Sequence, residues 1–460
     1  MTLSHLFILA ATFCGFGWHH SAPDPLTKLT MTNPDASAGR HLFERQWAAG
    51  QVDSPEGDGL GPMFNAKSCA TCHPGGGASG NEQNVQLISL LTEKLAQPAD
   101  REAIDLEYQG LLERPGSMFF MLPRHSTSPQ YEAWRLERLG LRSNTGSETR
   151  DRRIDRVRKR AFARRRPVHE IESNAVHRKL LSERNTPALF GVKQIDAIPL
   201  ETLQQVAKNQ AASGDGISGR VSMVSATQPG RFGWRGQIPT LKRFVEVACA
   251  NELGLQHEDA SQIRGPHNSR DREARDVTRL QILQLVEFLE VLPAPRPQVS
   301  ATPALQSRVD AGRTAFRSAN CHRCHVQTLA AAQDIYSDLL LHDTGPGLWD
   351  PIPALPQTII TGQQVRSGGY FGSFTQDTIE TVATNIQQEW RTPPLWGVAG
   401  TAPYLHDGRA HSLDEAIRLH GGEATAARNL YLQLPKAQQQ DLLHFLASLQ
   451  PPDLKSPTIP

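Results

Sequence analysis

Two five-residue stretches hold the residue types best suited to chemistry: Cys69-Ala70-Thr71-Cys72-His73 and Cys321-His322-Arg323-Cys324-His325. Cysteines three apart fall on one face of a helical turn, so both sulfurs can reach the two vinyl groups of one porphyrin. The next residue then offers an imidazole to the iron as its proximal ligand. Four of the 6 cysteines lie in these motifs. With 6 Cys and 17 His in 460 residues, random placement yields about 0.003 such motifs. The pattern predicts two covalently bound haem c groups, one on Cys69, Cys72 and His73 and one on Cys321, Cys324 and His325, with His73 and His325 as proximal iron ligands. Zinc is the main rival. It is disfavoured because the motifs lie about 250 residues apart and a four-thiolate site has no use for either histidine. A thioredoxin-type pair would need a βαβ context that the flanking sequence lacks.

The elements that must position these motifs read as two copies of one unit. Ala38-Gly39-Arg40-His41-Leu42-Phe43 precedes the first motif and Ala311-Gly312-Arg313-Thr314-Ala315-Phe316 the second. Each reads as an amphipathic helix leading into a haem site. Downstream, Thr186-Pro187-Ala188-Leu189-Phe190-Gly191 matches Thr392-Pro393-Pro394-Leu395-Trp396-Gly397. Phe232-Gly233-Trp234-Arg235-Gly236 then matches Tyr404-Leu405-His406-Asp407-Gly408, with Leu241 and Leu413 at equal distance beyond. The expected fold is all-α: two cytochrome c-like haem domains from an internal duplication, with long insertions in the first. The domains are placed at 34–292 and 301–452, joined by a linker at 293–300 that begins Pro293-Ala294-Pro295-Arg296-Pro297. Leu442, Leu443, Leu446 and Leu449 have helical spacing and predict a closing helix. A second insertion, about 192–230, carries a helix-like piece over Leu200–Ala212.

Lys plus Arg total 48 and Asp plus Glu 47, a balance that gives no global pull towards nucleic acid. The first insertion, about 100–180, contains an Arg-crowded run from Arg150 to Arg166. Such a run reads as a solvated face, or as a peripheral docking patch for an acidic partner or lipid headgroups. The apolar stretch Leu3–Gly17, followed by polar sequence, reads as a signal peptide over 1–21 and predicts a periplasmic protein. Haem attachment outside the cytoplasm agrees with export. Once Cys14 leaves with that leader, Cys249 lacks a partner and is expected as a buried free thiol.

Further segments carry a family resemblance: Gly59-Leu60-Gly61-Pro62-Met63-Phe64-Asn65-Ala66, Arg231-Phe232-Gly233-Trp234, Leu340-Leu341-His342-Asp343-Thr344-Gly345-Pro346, Glu389-Trp390-Arg391-Thr392-Pro393-Pro394-Leu395-Trp396 and Ala402-Pro403-Tyr404-Leu405-His406-Asp407-Gly408-Arg409-Ala410. As a set they resemble the di-haem oxidoreductase family, which is similar to bacterial di-haem cytochrome c peroxidases and to the MauG maturation enzyme. The resemblance implies an enzyme in which one haem feeds electrons to the other, with peroxide reduced at the N-terminal haem. It also implies a small redox protein or a quinone-linked donor as the source of electrons.

Individual positions follow from the resemblance. His420, fourteen residues after His406, falls where the peroxidases place the methionine ligand of the electron-entry haem, and so becomes the distal ligand of the C-terminal iron. A second imidazole lowers a haem potential relative to methionine, which weighs against peroxide as the oxidant and keeps a plain electron carrier with two six-coordinate haems as the alternative. The duplication puts Ala248 at the equivalent place in the first half. There the family's distal histidine corresponds to His177, eight residues before Asn185, with His169 as the other candidate. Glu252 resembles the distal-pocket glutamate, suited to moving a proton during O–O cleavage. The glutamine that accompanies it has no match, since Phe244 falls there. Trp234 resembles the tryptophan between the haems, although a core tryptophan with its N–H satisfied fits equally. Asn185 with the backbone oxygens of Thr401 and Pro403 matches the family's calcium site, whose oxygen donors suit that hard ion.

Overall fold

In a computed structural model the described residues are 36–50, 57–74, 85–91, 119–139, 169–173, 178–263, 275–297, 302–350, 357–359, 364–367, 374–377, 380–382 and 387–452. The leader at 1–21 and the Arg150–Arg166 run lie outside them. Each motif is approached by a helix that needs glycine at one position. A Cβ on Gly39 of helix Ala36–Glu44 would lie 1.9 Å from the Gln284 carbonyl oxygen of helix Arg279–Val291. A Cβ on Gly312 of helix Pro303–Ser318 would lie 1.9 Å from the Asp441 carbonyl oxygen of helix Lys436–Ser448. One turn further on, Phe43 lies 5.1 Å from Phe288 and 6.4 Å from His73 between ring centroids. Phe316 lies 5.4 Å from Phe445 and 6.3 Å from His325. The same glycine thus brings two helices together, and the same phenylalanine carries that packing to each motif's histidine.

The downstream landmarks also have matching backbones. Gly191 and Gly397 are both left-handed, at φ 65° and 72°. Antiparallel bridges Phe232–Ile238 and Tyr404–Ala410 close two equivalent loops. Within those loops Gly233 and Leu405 are left-handed, as are Gly236 and Gly408. Thr240 and Ser412 then cap helices Leu241–Glu252 and Leu413–Leu419, their hydroxyl oxygens accepting the N–H groups of Arg243 and Glu415.

The all-α expectation needs correcting, because the chain also builds small antiparallel sheets. One has four strands in the order Phe119–Met121, Val85–Leu91, Arg178–Arg184, His169–Ser173. Met63–Phe64 pairs with His125–Ser126, and Leu341–Asp343 with Glu389–Arg391. Two further pairs join Gln357–Ile359 to Glu380–Val382 and Gln364–Ser367 to Phe374–Asp377. The four-stranded sheet breaks simple alternation because it buries polar residues: Lys179, Ser182 and Arg184 are all under 6% exposed. Its face packs Ile88, Phe120, Leu122 and Leu181 against Met63, Tyr131 and Leu139 as a separate small core.

The larger core gathers Phe43, Trp47, Leu189, Phe232, Leu241, Leu285 and Phe288. It also takes in Leu329, Ile335, Leu339, Leu340 and Trp396 from beyond the Pro-rich stretch. A third core holds Val309, Phe316, Tyr336, Tyr431, Leu442 and Phe445. The Pro-rich stretch itself is packed: a Cβ on Gly191 would lie 3.0 Å from Ala294 Cβ, and one on Gly397 3.3 Å from Pro295 Cγ. The helix expected near 200–212 spans Leu200–Ser213 and ends at left-handed Gly214. Among the described residues no helix is long and apolar enough to cross a membrane.

Candidate functional site

The first motif is a single helical turn, Cys69–Cys72. Ser68 caps it, its Oγ accepting the Thr71 N–H at 3.2 Å and a bond from Gln46 Nε2 at 2.9 Å. The His73 N–H donates to the Cys69 carbonyl at 2.9 Å, which carries the turn through to the imidazole. Neither thiol is in a disulfide. Burial, then the neighbouring Cys72, pushes the Cys69 thiol up to about 12. Burial, then the Glu252 charge, does the same for Cys72, against an opposing pull from Arg124. Burial pulls His73 down to about 4, so at neutral pH its imidazole is uncharged, the form that binds iron. Its buried Nδ1 has no partner among the described residues.

The second motif repeats this arrangement with more support. The His325 N–H donates to the Cys321 carbonyl at 3.0 Å, and His325 Nδ1 donates to the Tyr336 carbonyl at 2.9 Å. That bond fixes the tautomer and leaves the lone pair on Nε2. His420 ends helix Leu413–Leu419, and its Nδ1 donates to the Ala416 carbonyl at 2.8 Å. Its lone pair is therefore also on Nε2. Burial holds His325 at about 4, with the charge of nearby His420 adding to the depression. Burial lowers His420 too. Two neutral imidazoles near enough for one to act on the other, each anchored through Nδ1, could both serve one iron. Asn320, Ala330, Asp334, Tyr336 and Leu339 are all left-handed, a conformation that costs roughly 1–3 kcal/mol at each such residue. Buried Leu329, Ala332, Ile335 and Leu339 hold this loop against the larger core, and Tyr336 turns its carbonyl to His325.

At each motif two neutral thiols and one neutral imidazole share a helical turn, which fits a thioether-linked haem. Among the described residues Cys69, Cys72 and His73 belong to no cluster of three donors within reach of one ion, whereas Cys324 of the second motif lies with Asp338 and His342 in such a cluster.

Glu252 is the last residue of helix Leu241–Glu252 and stands beside the first motif, where its charge acts on Cys72. Asn65 Nδ2 donates to Glu252 Oε2 at 2.6 Å. Ala248, on the same helix, offers no ligand. Phe244 packs on Phe232 with ring centroids 5.9 Å apart. Trp234 Nε1 donates to the Asn185 carbonyl at 2.9 Å, and the Trp234 carbonyl accepts the Arg391 N–H at 3.0 Å. Trp234 therefore joins segments that follow the two different motifs. Cys249 is a buried free thiol in the larger core, its thiol pushed well up by burial and by nearby Cys69.

Two of the expected calcium donors make bonds within the chain. Asn185 Nδ2 donates to the Pro403 carbonyl at 2.5 Å, while Asn185 Oδ1 accepts the Thr186 N–H at 3.1 Å. The Asn185 Oδ1 and Pro403 carbonyl oxygens thus each accept one bond from within the chain. His177 lies outside the described residues. His169 begins a sheet strand and pairs with Leu181.

Sequence reasoning passed over two buried polar clusters. His342 Nε2 bonds Asp338 Oδ2 at 2.9 Å, and its Nδ1 lies 2.7 Å from Glu423 Oε2 and 3.8 Å from Cys324 Sγ. Burial pulls His342 down, but Asp338, Cys324 and Glu423 outweigh it and hold the imidazole well above its ordinary value. In the second cluster, the Trp390 and His406 rings stack at 3.6 Å and 10°, with the Arg235 guanidinium 4.2 Å from the Trp390 ring. Arg184 pairs with buried Asp350 at 2.8 Å beside them. The signal was available in the Leu-His-Asp and Leu-His-Asp-Gly stretches, but their partners are far away in sequence.

Residues 291–449 match the family described as di-haem oxidoreductase, putative peroxidase. The C-terminal segment is of the di-haem oxidoreductase family. Cytochrome-c peroxidase IdrP1 of Pseudomonas sp. (strain SCT) is 30% identical over 169 residues, covering 34% of this chain and 44% of that protein. The chain spans under half the length of that curated relative. A MauG-like protein associated with microbial copper homeostasis gives a TM-score of 0.29 at 19% identity, over 55% of this chain and 90% of its own. The diheme peroxidase BthA from Burkholderia thailandensis gives 0.29 at 13% identity, over 93% of this chain and 86% of its own.

Proposed function

We propose that this chain is an exported di-haem c-type oxidoreductase built from two copies of one haem domain, 34–292 and 301–452, with peroxide as the substrate at the N-terminal haem. The matched Gly39/Gly312, Gly191/Gly397 and Thr240/Ser412 positions support the duplication. The observation that carries the functional reading is an asymmetry. His325 feels a second anchored imidazole, His420, whereas the duplication puts Ala248 at the equivalent place in the first half.

The C-terminal haem would be held by Cys321, Cys324, His325 and His420 and would store an electron without opening a coordination position. The N-terminal haem would be held by Cys69, Cys72 and His73, with Glu252 beside it to move a proton. A bound haem supplies one-electron chemistry and a site for a small oxygen ligand. The overall reaction takes two electrons from a small redox protein or quinone-linked donor and two protons, and converts one peroxide to two waters. Trp234 lies on the path between the halves. The Arg150–Arg166 run would serve a peripheral contact outside this chemistry. Periplasmic placement follows from the leader and from c-type attachment.

The test is an absorption and EPR spectrum of the purified holoprotein with and without peroxide. Two haems per chain, one low-spin bis-histidine and one high-spin, with rapid loss of the high-spin signal on adding peroxide, support the reading. Two low-spin signals indifferent to peroxide would replace it with the electron carrier, which the His420 ligand also suits.

A further inference from the structure

We infer that Arg391 is the counter-charge for a propionate carboxylate of the C-terminal haem. The inference rests on the haem reading given above and concerns a residue that reading leaves unused. Arg391 is 8% exposed and ends strand Glu389–Arg391. A guanidinium taken out of water is costly unless an anion meets it. Three buried arginines close by in the fold each have their own carboxylate: Arg220 pairs with Glu389, Arg184 with Asp350 and Arg409 with Asp407. Among the described residues Arg391 meets only neutral oxygens. Its Nε donates to the Gly233 carbonyl at 3.0 Å, and its Nη1 lies 3.5 Å from the Thr392 carbonyl.

Asp338 is the carboxylate whose charge acts on Arg391, but it is engaged elsewhere. Asp338 Oδ2 accepts bonds from Gln210 Nε2 at 2.8 Å and His342 Nε2 at 2.9 Å, and its Oδ1 accepts the Leu340 N–H at 2.9 Å. Burial lowers Arg391 to about 10, against the opposing pull of Asp338, so the guanidinium keeps its charge at neutral pH. Strand pairing does not need that charge, because the ladder of Glu389–Arg391 with Leu341–Asp343 is a main-chain one.

The chain around Arg391 is tied to the loop that supports the second motif. The Thr392 N–H donates to the Leu340 carbonyl at 2.9 Å, the Ser337 hydroxyl to the Thr392 carbonyl at 2.7 Å, and the Leu395 N–H to the Ile335 carbonyl at 3.0 Å. That same loop offers the Tyr336 carbonyl to His325, and its Asp338 N–H donates to the Cys324 carbonyl at 2.9 Å. From the first half, the carbonyls of Trp234 and Gly233 hold the Arg391 backbone N–H and Nε. The guanidinium is thus anchored through Nε, and its Nη end is left as a planar fork of the shape that suits a carboxylate. A haem joined to Cys321 and Cys324 brings two such carboxylates into this half of the chain.

The test is resonance Raman of the ferric holoprotein, read at the haem propionate bending bands, together with a potentiometric titration of both haems. Arg391→Gln should shift a band of the low-spin C-terminal haem to lower frequency. It should also lower the potential of that haem more than that of its partner, because an uncompensated carboxylate favours ferric iron. Arg391→Lys keeps the charge and loses the fork, so it should restore most of the potential but not the band position. Exchanging chloride for acetate at constant ionic strength should move nothing in the wild type, since a covalently held carboxylate is not displaced. If Arg391→Gln fails to take up haem, the band position in Arg391→Lys decides. Bands that stay in place in the variants that load haem would overturn the inference and leave Arg391 a packing role. Wild-type bands and potentials that follow the buffer anion would overturn it in favour of a free anion. Protein with no haem on Cys321 and Cys324 would sink the haem reading itself, whereas haem-loaded variants with unmoved bands would sink this inference alone.

Discussion

His325 Nδ1 lies 2.9 Å from the Tyr336 carbonyl oxygen. An imidazole whose N–H is held by a carbonyl is a more basic ligand through its other nitrogen. His73 has no such acceptor among the described residues. The two histidines thus differ before any distal group is considered. In the proposed reading that difference, with His420 as a second imidazole, would make the C-terminal haem the lower-potential member of the pair.

Replacing His420 with methionine should therefore raise the potential of the C-terminal haem. Axial ligands command a span of roughly 0.8 V, and exchange of one imidazole for a thioether is expected to use on the order of a fifth of it. His420→Ala should instead open the position and turn that haem high-spin. Potentiometric titration with EPR at each step reads both results. An unchanged potential in His420→Met would mean that the histidine never touches the iron.

Glu252→Gln should slow the first reaction of the holoprotein with peroxide by about 10²–10⁴-fold, the usual worth of a positioned proton carrier. Spectra of both haems should stay as they are, because Glu252 binds neither porphyrin. Stopped-flow absorbance in the Soret region measures the rate. A loss below threefold would assign Glu252 a purely structural place at the helix end.

The Asp338–His342–Glu423 cluster predicts a stability plateau. His342 is held above its ordinary 6.5, so its contribution is complete below that pH and fades as pH rises through the raised folded value. Burial pushes Glu423 up, but His342 outweighs it and holds the carboxylate below its ordinary 4.5. Its contribution is complete above that pH and fades as pH falls through the lowered value. Both are in force around pH 5–6. There His342→Ala, which leaves two carboxylates without their shared cation, should cost about 3–5 kcal/mol. Denaturant melts of wild type and variant should converge as the solution is made alkaline. A difference that does not vary with pH would show that the imidazole acts only by packing.

The two Cys-x-x-Cys-His turns were legible because their donors are local: sulfur, sulfur and imidazole within five residues. The matching turns and caps were legible for a similar reason. Gly191 and Gly397 must be left-handed to make their turns, and Thr240 and Ser412 cap through their own hydroxyls. What escaped was non-local. The strand Arg178–Arg184 buries Lys179 and Arg184, so its apolar pattern does not alternate, and its partner Val85–Leu91 is almost a hundred residues earlier. Asn65 and Glu252 are 187 residues apart, and neither announces the other. Asn185 was read as a calcium ligand from the family resemblance; its amide bonds to Pro403 and Thr186 join it to a segment over two hundred residues on, which its own sequence neighbourhood does not announce.

Gly39 and Gly312 give the sharpest structural test of the paired design. In each, a methyl group would sit 1.9 Å from a carbonyl oxygen of the opposing helix, a distance no neighbour can accept without movement of the helix itself. Helix propensity alone would make Gly→Ala stabilising by about 1 kcal/mol, so the two effects have opposite signs and the measurement separates them. Overpacking of this kind costs about 1–3 kcal/mol or more, and it should win. Gly39→Ala and Gly312→Ala are each expected to lower the melting temperature. Through Phe43 and Phe316 each should also disturb the nearer haem, His73 in the first case and His325 in the second. If either variant is more stable than wild type, the two helices at that motif do not approach as closely as described.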